Sequence, residues 1–158
     1  MRVQSLGHVV LKVQSTERSE AFYSRLLGMA VISRICHPVH LTFFSLGNHH
    51  DLAIIAVGAH APTPDPTATG LAYVAFKIGD TYEEFSSMKA DLDAAGFQIL
   101  YEADRAFTRS LHLLDPDGNE VELYIDTSDA WKTDLPSLTT IRGAVREGDE
   151  GTFGARTR

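Results

Sequence analysis

Apolar positions recur with period two at Val9, Leu11 and Val13, with Val10 and Lys12 between them, and the pattern predicts a strand with one covered face. His8 opens that strand on the opposite face. Ser15 and Thr16 are N-cap candidates for a helix in which Glu17, Arg18, Ala21, Phe22, Leu26 and Leu27 fall at helical spacing before Gly28 closes it. Ala21, Phe22, Arg25 and Leu26 are expected to line its buried side. Residues 29–33, 41–46 and 51–57 then read as three strands, with Gly47 and Asn48 turning the second into the third.

Residues 58–69 are rich in Pro, Ala and Thr, which makes them a stiff connection. After it the same order returns. Residues 71–78 form a strand pattern, and residues 81–95 a helix closed by Gly96, with Tyr82, Phe85, Met88, Leu92 and Ala95 as its apolar stripe. Residues 97–102 read as a further strand. Residues 110–114 and 120–125 make a hairpin about Asp115, Pro116, Asp117, Gly118 and Asn119. In its second strand Val121, Leu123 and Ile125 alternate with Glu120, Glu122 and Tyr124, which sets two carboxylates and a phenol on one face.

The recurrence can be registered segment by segment, and its hairpin registers without a gap. Residues 7–13 lie on residues 72–78, 52–54 on 121–123, and the hairpin 43–53 on 112–122, with strand faces matched throughout. The expected fold class is therefore α+β, two paired βαβββ units forming a curved mixed sheet around a cavity. The units span about 6–58 and 70–126 of a single domain, residues 1–130, with a linker at 59–69. Residues 131–158 form an extension in which Trp131, Leu135, Leu138 and Ile141 are candidate anchors, and its end has the composition of a loose tail.

Composition narrows the partners. A net charge of −7 without any run of Lys or Arg argues against nucleic acid or an anionic membrane surface, and leaves a small ligand. Cys36 stands alone, so no intrachain disulfide forms. Residues 1–20 show no signal-peptide pattern and no apolar run approaches the roughly 20 residues of a membrane span, so a cytoplasmic location is expected.

The repeat sets His8 equivalent to Tyr73, and Ala53 equivalent to Glu122. If the two units share a cavity, His8 and Glu122 become neighbours, an imidazole and a carboxylate of the kind that hold a divalent metal with open positions. Taken singly, Glu122 also reads as a strand carboxylate facing water, and His8 as a hydrogen-bonded histidine at a strand start. His112, in the hairpin's first strand on the face of Ser110, is an acid/base candidate, because an unperturbed imidazole titrates at about 6.5. His49 and His50 sit at the mouth of the other hairpin, where a solvated polar turn is the alternative. His37 and His40 flank Pro38 in a loop, and His60 lies in the connection.

The paired units with GHVVLKV, SEAFYSRLLGM, HHDLAII, GLAYVAF and DPDGNEVELY resemble the vicinal oxygen chelate superfamily over residues 6–126. That superfamily includes glyoxalase I, bleomycin-resistance proteins and type I extradiol ring-cleaving dioxygenases, and HHDLAII with His112 looks most like the last. The resemblance implies metal ligands at His8 and Glu122 and an acid/base histidine at His50. It places Tyr73 where the family has its second metal histidine, and His112 where the family has a substrate-binding tyrosine. Three outcomes follow for the metal: Tyr73 ligates it, a histidine such as His50 or His40 moves in, or none is bound. The implied cofactor is Fe(II) or Mn(II), with a small aromatic or vicinal-oxygen substrate, O2 in the dioxygenase version, and a homodimer. A metal-free sequestering protein and a glyoxalase-like isomerase or lyase are the alternatives.

Overall fold

The computed structural model describes residues 2–133, which fall into two compact units, one ending at Thr63 and the other beginning at Pro64. In the first, β1 (Val9–Val13) leads to α1 (Thr16–Glu20), whose N-cap Ser15 accepts a hydrogen bond from the Arg18 amide. A π-helical turn, Ala21–Leu26, continues the helix. β2 (Ala30–Ile35), β3 (Leu41–Ser45) and β4 (Leu52–Ala56) follow, and the sheet order is β1-β4-β3-β2, with β1 parallel to β4 and the other pairs antiparallel. Leu11, Val13, Phe22, Tyr23, Phe44, Leu52 and Ile54 are all buried.

One expectation about this helix is corrected. Tyr23 is fully buried and Arg25 is exposed, the reverse of an α-helical reading. The Leu27 amide donates to the Phe22 carbonyl at 3.1 Å, an i→i+5 bond that widens the turn and rotates the residues around it off the α-helical stripe. Gly28, at φ +73°, then ends the helix in the conformation that β-carbons disfavour.

The second unit repeats the order. β5 (Val74–Gly79), α2 (Tyr82–Ala94), β6 (Ile99–Asp104), β7 (Thr108–Leu114) and β8 (Glu120–Asp126) form a sheet ordered β5-β8-β7-β6, and a 3-10 turn, Asp129–Lys132, follows. Thr81 and Glu84 close a reciprocal capping box at the start of α2. Phe85 and Leu92 are buried, whereas Tyr82, expected in the same stripe, is 56% exposed. It stands in the first helical turn, where the Arg109 guanidinium covers its ring at 5.6 Å.

The fold is thus α+β, with eight strands in two mixed sheets among the described residues. Backbone pairing follows the sequence repeat through the middle of the strands; of the two parallel pairs, that of the second unit shifts register between Lys77 and Gly79. Val10 pairs with Ala53 and Ala75 with Glu122, while Phe43 faces Ala53 as His112 faces Glu122. Among the described residues no helix is long and apolar enough to cross a membrane. Leu135, Leu138 and Ile141 lie outside the described residues.

Candidate active site

The hairpin of the second unit sets the register of the site. The Asp115 carboxylate accepts from the amides of Asp117 (2.9 Å) and Asn119 (2.8 Å) and from Asn119 Nδ2 (2.9 Å), and Gly118 takes φ +86° to complete the turn. With that turn fixed, Val121, Leu123 and Ile125 go to the core and Glu122 goes to the other face. Across the sheet Glu122 then stands beside His112, and His112 beside Tyr101.

His112 is completely buried, a costly place for an imidazole unless its nitrogens are used. Its Nδ1 lies 3.0 Å from Glu120 Oε1, which also accepts from the Tyr101 hydroxyl at 2.9 Å. The Tyr101 ring stacks on the imidazole at 4.2 Å, and the Tyr73 ring meets it edge-on at 5.4 Å. The other nitrogen, Nε2, faces Glu122 Oε1 at 3.5 Å, within ion-pair reach but without making a hydrogen bond. Burial pulls the imidazole pKa down, but the two carboxylates, Glu120 and Glu122, outweigh it and the net shift is upward.

Glu122 is 6% exposed. Burial favours its neutral form, yet His112, Ser110 and the charge of Arg105 hold its pKa down to about 2, so it is a buried carboxylate ionised at any physiological pH. Arg105 Nη1 lies 2.6 Å from Glu122 Oε1 and 3.5 Å from Ser110 Oγ. Sequence reasoning missed this arginine: it falls in the short connection from β6 to β7, where no periodicity marks it. The Arg105 amide donating to the Thr108 carbonyl at 2.8 Å closes the turn that carries it.

The residues expected in the first unit form their own group. His8 is exposed just before β1, and its ring lies 4.1 Å from that of His50. His50 Nδ1 is 2.7 Å from His49 Nδ1, and Phe43 presents its edge to the His50 ring at 5.5 Å. Desolvation, then the charges of His8 and His49, lower the His50 pKa, leaving a neutral imidazole able to accept a proton. Ala53 is fully buried. The structure therefore brings His8 to His50 in one unit, and Tyr73, His112 and Glu122 together in the other.

The donors can be tested against a divalent cation. Among the described residues no three His, Cys, Asp or Glu side chains converge to hold one. Within the second unit, however, Glu122 offers an ionised carboxylate, a donor type that suits such a cation, while Arg105 Nη1 occupies its Oε1 at 2.6 Å. Tyr73 fits less well, since a phenol oxygen is a poorer metal ligand than an imidazole or a carboxylate.

The family model described as the Glyoxalase/Bleomycin resistance protein/Dioxygenase superfamily matches residues 5–123. A catechol-2,3-dioxygenase of Bacillus subtilis (strain 168) is 30% identical over 92% of this chain and 53% of its own, so the chain spans about half the length of that relative. The glutathione transferase FosA of Serratia marcescens is 28% identical over 78% of this chain and 82% of its own. Among solved structures, a glyoxalase family protein from Enterococcus faecalis superposes with a TM-score of 0.63 at 26% identity, over 77% of this chain and 97% of that one.

Proposed function

The chain belongs to the glyoxalase/bleomycin resistance protein/dioxygenase superfamily, and from that premise we propose that it is a divalent-metal-dependent enzyme of the extradiol dioxygenase type. Its substrate on this reading is a small aromatic molecule with two adjacent oxygens, and its cosubstrate O2. The observation that carries the reading is Glu122, a carboxylate kept ionised while almost fully buried in the middle of a strand. Such a group costs several kcal/mol to bury and persists only where a positive partner is supplied.

Fe(II), or Mn(II), when bound would lower the cost of deprotonating a substrate hydroxyl and gather the reactants. Glu122 and His8 are the proposed donors in their respective units. His50, with its lowered pKa, accepts a substrate proton. Tyr73 and Tyr101 wall the His112 imidazole on two sides and keep water from it, while Arg105 offers guanidinium N–H groups to an anionic oxygen. A homodimer in the cytoplasm completes the proposal.

The test is oxygen uptake with catechol by metal-loaded protein. Consumption of O2 in step with ring-cleavage absorbance, lost in Glu122→Gln, is expected. Absence of uptake with Fe(II) and with Mn(II), across catechol and its 3-substituted forms, would remove the dioxygenase assignment.

A second reading draws on Arg105. Because a guanidinium already neutralises Glu122 at 2.6 Å, the second unit is electrostatically complete without a metal, as a sequestering protein would be. Unchanged binding of catechol after treatment with a chelator, followed by Tyr fluorescence, would favour this reading over the first.

A further inference from the structure

We propose that the second unit carries a carboxylate subsite at Arg105, where the guanidinium edge formed by Nε and Nη2 takes the carboxylate of a small aromatic acid as a two-pronged pair. The inference rests on the reading of this unit as a site for a small aromatic molecule, which the enzyme and the sequestering protein share, and it names a further group that this molecule carries.

A guanidinium presents five N–H donors in one plane, and a carboxylate accepts from two of them at once. Arg105 uses one of its nitrogens inside the protein. Nη1 lies 2.6 Å from Glu122 Oε1 and 3.5 Å from Ser110 Oγ, and both of those residues are buried, so the group is anchored from behind. Among the described residues neither Nε nor Nη2 of Arg105 has a hydrogen-bond partner. Nor are they sealed in. Among the described residues the buried side-chain nitrogen or oxygen without a hydrogen-bond partner is Nε2 of His112, so the two unengaged nitrogens of Arg105 are reached by solvent.

The first unit shows what such an edge does. Arg34 presents the same two nitrogens, Nε and Nη2, to the Glu20 carboxylate at 2.9 and 2.6 Å, closing the two-pronged pair within the chain. Arg105 has that edge open. A carboxylate arriving there meets a different edge of the guanidinium from the one Glu122 holds, so the two anions flank one cation and do not share a donor. The Arg105 charge also reaches the Tyr101 hydroxyl, which places an aromatic ring in the guanidinium's neighbourhood for the rest of the ligand.

The experiment uses probes that differ in one group. Catechol, 2,3-dihydroxybenzoate and 2,3-dihydroxybenzamide are titrated into the full chain with a chelator present, and binding is followed by calorimetry. The acid should bind at least about tenfold tighter than catechol, and the amide, which keeps the shape and loses the charge, should fall back to the affinity of catechol. In proton–nitrogen NMR spectra the Arg105 Nε–H resonance should move with the acid and stay in place with the amide. Arg105→Lys keeps a cation beside Glu122 but has no fork, and should lose most of the preference. Arg105→Gln is made together with Glu122→Gln, so that no buried carboxylate is left unpaired, and this double variant, its fold checked by circular dichroism, should bind acid and catechol alike.

Equal affinity of the wild type for acid and catechol would overturn the subsite. A preference undiminished in the folded double variant would do the same, as would an Nε–H resonance that the acid leaves unmoved. Absence of binding by all three probes would remove this inference together with the reading it rests on. Otherwise the two fail separately: a preference for the acid without any oxygen uptake defeats only the dioxygenase, whereas oxygen uptake with catechol that an added carboxylate does not make tighter-binding defeats only the subsite.

Discussion

At the scale of single residues, burial and charge decide behaviour. Glu122→Gln keeps the shape of the side chain but leaves Arg105 beside a neutral amide, and about 1–3 kcal/mol of stability should be lost, measurable by urea unfolding. The pH dependence follows from the two shifts. Glu122, depressed in the folded state, adds stability that is present above its ordinary value of about 4.5 and disappears as pH falls toward about 2. His112, raised in the folded state, adds stability that is full below its ordinary value of about 6.5 and is lost as pH climbs through the raised one. Denaturant midpoints taken from pH 3 to 9 should therefore fall at both ends, and His112→Gln should flatten the alkaline limb and, because His112 helps to hold the Glu122 pKa down, also soften the acid one. An alkaline limb unchanged by that substitution would contradict the protonation assigned to His112.

Elements show how much was legible beforehand. Strand alternation and the Asp-Pro-Asp-Gly-Asn turn located β7 and β8 and put Glu122 and His112 on one face, because period-two patterning is a local property that the sheet preserves. The helix of the first unit was read correctly in place but not in rotation, since an i→i+5 turn leaves no mark in apolar spacing. Arg105 escaped for a related reason: its partner is 17 positions away, and a connection carries no periodicity to point there. The hairpin turn itself is testable. Asp115→Ala removes one acceptor from three donors and should cost about 1–3 kcal/mol, with the loss of hydrogen-exchange protection concentrated in β7 and β8. The equivalent place in the other unit makes a contrasting case. Ala53 is fully buried opposite Phe43, so Ala53→Glu would bury a carboxylate without a guanidinium, at roughly 3 kcal/mol or more, and thermal denaturation would reveal it.

For the whole molecule the repeat could be recognised because registering the first strand and the hairpin of one unit on those of the other constrains several strand faces at once. What no alignment of the chain with itself reveals is how a matched pair of positions divides its labour. A ligand that binds only the folded protein raises its stability by mass action, about 2.7 kcal/mol at a hundredfold excess over Kd. Mn(II) should accordingly raise the melting temperature of wild type and leave Glu122→Gln where it was.

The correspondence between Phe43 facing Ala53 and His112 facing Glu122 means that the protein carries its own blank. The same backbone slot occurs twice in one chain, filled once with hydrocarbon and once with ionisable groups. Any probe read at both slots, such as an amide chemical shift at Ala53 and at Glu122, separates what an added ion does to its own pocket from what salt or pH does to the protein at large.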